Sequence, residues 1–249
     1  MTADRLANYL LPGVPEAEVR ARLESAGGNE IASGKFANPE SSAALAVNGF
    51  GWFLERPGAL PPFPPLADLD WPAVRVDVER QMRFPWTGGR HPWLDAAVET
   101  GRHLIGVESK RFEPFRDSKA AKLSKAYDRD VWGEGMTRWC ALRDTLRANP
   151  TFFRWVDAAQ LVKHAFGLVT EGRRIGKAPV LLYLFAEPTS GRAITPQAFA
   201  DHRAEVARFA ALVTGDAVRF AACSWREWLA TFCRGSESHG DAVLARFAP

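Results

Sequence analysis

Residues 94–110 read LDAAVETGRHLIGVESK, and the way this stretch pairs with itself decides the fold. Two short runs of strand character flank Gly101-Arg102. Glycine at the first central position of a two-residue loop suits a type II′ hairpin turn. Such a turn sets the register. Thr100 faces His103, Glu99 faces Leu104, and further out Asp95 falls opposite Glu108. Alternate residues of a strand share a face, and paired residues point the same way. Asp95, Glu108 and Lys110 are therefore expected on one face, with Val98, Ile105 and Val107 turned into the core on the other. Ala97 opposite Gly106 is expected to leave room beside the carboxylates.

Two carboxylates facing each other across a ladder repel by roughly 0.2–1 kcal/mol relative to a neutral pair. A divalent cation offsets that repulsion, and Mg²⁺ takes carboxylate oxygens while keeping several waters. Lys110 is close enough in register to touch a phosphate oxygen or the attacking water. These parts match metal-assisted hydrolysis of a phosphodiester. The same string also reads as a surface strand start followed by a solvated Glu108–Lys110 pair.

Working outward, residues 73–79 alternate apolar and polar, the mark of a half-buried strand. Asn38-Pro39 predicts a helix from there to about Glu55. Five prolines between Pro57 and Pro65 predict an extended crossing. Downstream, a helix is expected over 118–147 and another from Asn149-Pro150 to about Val169. The apolar run 177–185 reads as a central strand. Thr195-Pro196 opens a helix to about Val213, and 217–223 reads as a last strand. That order gives an α/β sandwich with a mixed sheet.

The 249 residues suit a single domain, with a core over about 38–230 and an N-terminal helical extension over 1–37. No run of about 18 apolar residues is present. The first residues lack the layout of a signal peptide, so a cytoplasmic location is expected. Three cysteines at loose spacing read as free thiols rather than a disulfide framework or a zinc site. The net charge of +3 permits nucleic acid without demanding it. Arg102, Lys110, Arg111, Arg116, Lys119, Lys122 and Lys125 form a basic stretch that is either a solvated face or a phosphate-contacting one. Gly172-Arg173-Arg174-Ile175-Gly176-Lys177 lacks the spacing of a P-loop, although Arg173 and Arg174 could touch a backbone. Most of the tryptophans read as core, with Trp86 and Trp93 the exceptions that flank the site.

The D-x12-E-S-K pattern resembles the core motif of the PD-(D/E)XK nuclease superfamily. More narrowly, SSAALAVNGF at 41–50, VESKRFEPF at 107–115 and AAQLVKHAFGL at 158–168 resemble a bacterial restriction-endonuclease-like branch. The resemblance covers about 38–230. It implies a three-layer sandwich with an αβββαβ core and a Mg²⁺-dependent endodeoxyribonuclease, with Mn²⁺ as a substitute. It also implies that Asp95 and Glu108 bind metal and that Lys110 assists the attacking water. Glu40, expected in the first turn of the first core helix, matches a further metal-binding acid, and Glu79 could approach from the neighbouring strand. Gln160 matches a glutamine that recurs behind the E-x-K strand. Lys163 and His164, which share its helix face, are expected to contact phosphate, as is Arg111. DNA is the expected partner and a homodimer is compatible with double-strand cutting. A nucleic-acid-binding protein that has lost cleavage, or a protein-interaction module, are the competing readings of the same fold.

Overall fold

A computed structural model describes residues 3–26, 31, 33–117, 120–233 and 235–249. Five strands form one mixed sheet: β1 (Arg75–Gln81), β2 (Trp93–Glu99), β3 (His103–Lys110), β4 (Ala178–Phe185) and β5 (Arg219–Ser224). They lie side by side in chain order. β1, β2 and β3 are antiparallel neighbours, whereas β4 runs parallel to β3 and β5 parallel to β4. Seven helices accompany them among the described residues: α1 (Glu16–Ser25), α2 (Ser42–Gly51), α3 (Thr137–Ala148), α4 (Ala158–Ile175), α5 (Pro196–Val213), α6 (Trp225–Leu229) and α7 (Glu237–Phe247). A parallel pair needs a crossover, and α4 and α5 lie in the two crossovers. No helix among the described residues is long and apolar enough to cross a membrane.

The strands alternate between two apolar clusters. Val76, Val78, Ala96, Val98, Ile105 and Val107 join one cluster with Leu45 and Phe50 of α2. Leu104, Leu181, Tyr183 and Phe185 join the other with Leu161, Ala165 and Leu168 of α4. Val98, Ile105 and Val107 thus lie away from α4, as expected. Both ends of the chain enter the first cluster, through Val19 and Leu23 of α1 and through Val243 and Phe247 of α7. The packed core therefore reaches beyond residues 38–230.

The hairpin register is the expected one, running from Glu99↔Leu104 to Ala96↔Val107. Its turn is held differently. Gly101 does not adopt the positive φ that a type II′ turn requires. Asp70 holds the loop instead. Its carboxylate accepts from the Thr100 hydroxyl (2.7 Å) and from the Arg102 N–H (2.6 Å). A Cβ on residue 101 would stand 2.9 Å from Asp70 Oδ2, so glycine is needed for the close approach. The small pair Ala97↔Gly106 does not leave a gap either. The space over Gly106 is filled by Leu94 and Leu168, which draws α4 close to the sheet.

Three helix starts differ from expectation. Asn38 closes a turn by accepting the Glu40 N–H (2.8 Å), and the true cap of α2 is Ser41, which accepts from Ala44 N–H (3.1 Å). In place of a helix over 118–147, residues 120–136 are mostly irregular and α3 begins at Thr137. Residues 118 and 119, including Lys119 of the basic stretch, lie outside the described residues. Asn149-Pro150 ends α3 rather than opening α4, which starts after Asp157. Gly172–Ile175 is the last turn of α4 and Gly176 its left-handed cap (φ 68°), so this segment is a helix end and no phosphate loop.

Candidate active site

The ladder between β2 and β3 ends one pair short of Asp95 and Glu108. At that point the Asp95 side chain replaces the main chain, and its Oδ2 accepts the Ser109 N–H at 2.7 Å. On the other side of β2, the pairs Val78↔Ala96 and Arg80↔Leu94 bracket Glu79 against Asp95. Continuing both registers puts Glu79, Asp95 and Glu108 in one row across three adjacent strands. Glu79 has φ +49°. A left-handed backbone is uncommon for a glutamate and is often a feature of functional sites.

Glu108 and Lys110 face α4, two residues apart on β3, while Ser109 between them turns the other way to accept from the Trp225 indole (3.1 Å). Glu108 is buried at 2% exposure. Its Oε1 accepts a short hydrogen bond from Lys110 Nζ, and its Oε2 lies 2.8 Å from His164 Nε2. Lys110 Nζ also donates to Gln160 Oε1 at 2.9 Å. The first two turns of α4 therefore close over the end of β3. The start of α4 is fixed by Asp157, whose carboxylate accepts the Gln160 N–H at 3.0 Å.

Burial disfavours charge on all three ionisable groups, and their neighbours decide the outcome. Burial and the nearby Glu108 charge push Asp95 well above the usual carboxylate range, with Glu79 adding to the shift and Lys110 opposing it. For Glu108, burial is outweighed by Lys110 and His164, which hold it below that range. For Lys110, burial is outweighed by Glu108 and Asp95, so the ammonium is held firmly protonated. Asp95 makes no ion pair among the described residues. Asp95 and Glu108 thus set two carboxylates beside a single lysine, which is bonded to Glu108.

Beyond Lys110 the site opens into a pocket of about 190 Å³. Its walls include Arg116, Arg154, Trp155, Gln160 and the buried Tyr183. Glu113 stands at its edge, accepting from Ser42 (2.6 Å) and from the Arg111 N–H (2.8 Å).

The structure gathers Asp95, Glu108, Lys110 and Gln160, with Glu79 in register beside them. His164 also joins them, but as a buried partner of Glu108 rather than a phosphate contact at the surface. Neither of its ring nitrogens makes a hydrogen bond of good geometry among the described residues, so Nε2 meets Glu108 by its closeness. Other expected residues lie elsewhere. Glu40 precedes α2 rather than standing in its first turn, and it is gripped by Arg116 (2.9 Å) and Arg192 (2.9 Å). The hydrogen bond from Arg192 lowers its pKa further. Arg111 is buried at 4% exposure and donates to the carbonyls of Pro39 and Phe247, so it ties the turn before α2 to the end of α7 instead of facing the site. Arg173 and Arg174 lie at the far end of α4, about 20 Å along the axis from Gln160. There Arg173 donates to the carbonyls of Trp132 and Glu134, and Arg174 pairs with Glu171. Lys163 points into a neighbouring cleft.

Sequence reading missed the close partnership of His164 with Glu108, and the pocket walls from 153–157. The signal was present. Asp157-Ala-Ala-Gln160 has the spacing of a helix cap followed by a polar residue three positions on, which starts α4 there and leaves 150–157 as a loop.

The chain belongs to the family described as Restriction Endonuclease associating with ARP, whose match spans residues 3–242. That places it among restriction-endonuclease-like proteins and suggests a nuclease-type function and an interaction with nucleic acid. No curated protein and no solved structure matches it significantly.

Proposed function

We propose that this chain is a metal-dependent nuclease of the PD-(D/E)XK type that hydrolyses phosphodiester bonds of DNA. In this reading the mixed sheet and its helices form one domain with the three-layer restriction-endonuclease-like arrangement, and α2, β1–β3, α4 and β4 make up its αβββαβ core. The observation that carries the proposal is the meeting of Asp95, Glu108 and Lys110 at one point under the start of α4.

Among the described residues no group of three or more His, Cys, Asp or Glu side chains is close enough to hold a metal ion. Mg²⁺ does not need one. It is commonly held by one or two carboxylates, with waters and substrate phosphates completing its shell. Asp95 and Glu108 are hard oxygen donors, and the half-buried Asp95, which has no ion-pair partner among the described residues, is the group a cation would relieve. These two residues would hold Mg²⁺, or Mn²⁺ in its place, with Glu79 beside them. When bound, the ion would neutralise charge developing on the phosphate and ease deprotonation of water.

The remaining residues orient and compensate. His164 keeps Glu108 in place from the α4 side, as outer partners of metal-binding groups do. Gln160 and Glu108 each accept one N–H of Lys110, which leaves a third for the phosphate or for the attacking water. An ammonium fixed in this way stabilises the charge of the transition state without reorganising.

The test is cleavage of plasmid and oligonucleotide substrates by the purified chain in Mg²⁺ or Mn²⁺, with EDTA as control. Cleavage by the wild type, absent in EDTA and in Asp95→Asn, is the expected result. A wild type that cuts no DNA or RNA, single- or double-stranded, with either metal would sink the proposal.

A further inference from the structure

We infer that the cleft beside the start of α4 is a binding subsite for an unpaired stretch of the nucleic-acid substrate. This deepens, and rests on, the nuclease reading above. The cleft measures about 840 Å³ and lies between the β1–β2 connection, residues 121–127 and α4. Arg90, Lys122 and Lys163 line it, and no aspartate or glutamate does so among the described residues. These three cations make no ion pair or hydrogen bond among the described residues. Unpaired cations in a concave surface favour a polyanion and its released counterions.

The cleft's other wall is aromatic. Phe84 and Trp86 stack at 4.8 Å with 29° between their planes. Tyr127 and Trp132 pack edge-on against Phe84, each at 5.6 Å, so the rings are held in place. Trp86 is half-buried and carries the Arg129 guanidinium 4.5 Å over its ring. With Phe84 stacked on that ring, a nucleobase, which is also flat, would take the place of the Arg129 guanidinium. Cations along a groove combined with aromatic faces are how proteins hold single strands without reading their sequence. A duplex keeps its bases stacked inside and could offer the rings nothing. A peptide would lack the repeated negative charge that three free cations call for.

Two elements that line the cleft also carry residues of the site. Pro92 lines it, and Asp95 stands three residues further on. Lys163 lines it, and Gln160 stands three residues back, about 4.5 Å along the helix axis. A strand seated in the cleft would thus deliver its next phosphates to Lys110.

Fluorescence anisotropy in EDTA tests this without cleavage. The probes are a labelled 12-residue deoxythymidine strand, an RNA strand of equal length and a DNA duplex of equal length. At least one single strand should bind 10-fold or more tightly than the duplex, and comparing the DNA and RNA strands identifies which one the subsite takes. The exposed-side double variant Lys122→Ala/Lys163→Ala should lose 10-fold or more. It should also flatten the slope of log K against log salt by about 1.4, two phosphate contacts at about 0.7 each. Trp86→Ala should lose about 10-fold. Single-strand binding that the lysine variant leaves unchanged would overturn the subsite, as would a duplex bound at least as tightly as either strand. If wild type cuts nothing in Mg²⁺ or Mn²⁺ while cleft-dependent binding persists, the nuclease reading fails and the subsite stands.

Discussion

Asp95 is the residue on which the proposed chemistry turns. It sits beside Glu108 and Glu79, and Lys110 is shared with Glu108. Without a cation this arrangement costs stability. Asp95→Asn keeps an oxygen for the Ser109 N–H and removes the charge. In EDTA at pH 7 it should therefore raise the urea unfolding free energy, by on the order of 1 kcal/mol. A lower unfolding free energy would mean that the charge is already compensated. Lys110→Gln should lower kcat by 100-fold or more, the usual loss when one fixed donor to a developing oxyanion is removed. Because His164 acts through Glu108, His164→Ala should lower metal affinity about 10- to 100-fold with KM for nucleic acid little changed. Steady-state kinetics over a metal titration separates these outcomes, and a KM effect alone would move His164 to substrate binding.

The strands were legible because alternation survives folding. Val98, Ile105 and Val107 point where period two sends them, and the two-residue turn fixes the register of the whole hairpin. What was hidden is what holds the turn, since Asp70 comes from a distant loop and leaves no local trace. Helix starts were read less well. Asn-Pro occurs at 38–39 and 149–150, and in both places the asparagine marks a turn or a helix end. Thr195-Pro196 does open α5, with Thr195 accepting the Ala198 N–H. The asparagine side chain competes for nearby main-chain N–H groups, and only the residues that follow decide which use wins. Gly106 is the element-level point where sheet and helix approach most closely. A Cβ there would meet Leu94 at 2.4 Å and Leu168 at 2.8 Å. Gly106→Ala should therefore cost about 1–3 kcal/mol in chemical denaturation, and it should slow cleavage by lifting α4 from Lys110. A variant of wild-type stability would show that α4 is free to shift.

The molecule as a whole is closed from both ends, with α1 and α7 completing the cluster on the face away from the site. Neither contribution was legible, because short helices far apart in sequence reveal no partner. The basic stretch was legible only as charge. Folding buries Arg111, points Lys110 inward and sends Lys122 to the cleft. His202 gives the fold its own pH dependence. It packs among Phe115, Tyr183 and Phe185, with Nε2 3.0 Å from the Tyr183 hydroxyl. Burial, aided by Arg203, lowers its pKa to about 4. The unfolded chain takes up this proton near pH 6.5 and the folded chain only near pH 4. Stability should therefore fall as pH drops across that window, by up to about 3 kcal/mol. His202→Phe should remove this slope in urea denaturation between pH 7 and 4, and an unchanged slope would assign it to other groups.

In the proposed nuclease, Asp95 and Glu108 form a divalent-cation site. Manganese(II) titration followed by electron paramagnetic resonance tests it directly, using wild type and Asp95→Asn checked for equal secondary structure by circular dichroism. Saturable binding to wild type that Asp95→Asn abolishes is the predicted result. A wild type that binds no Mn²⁺, or an Asp95→Asn variant that binds it equally well, would contradict it.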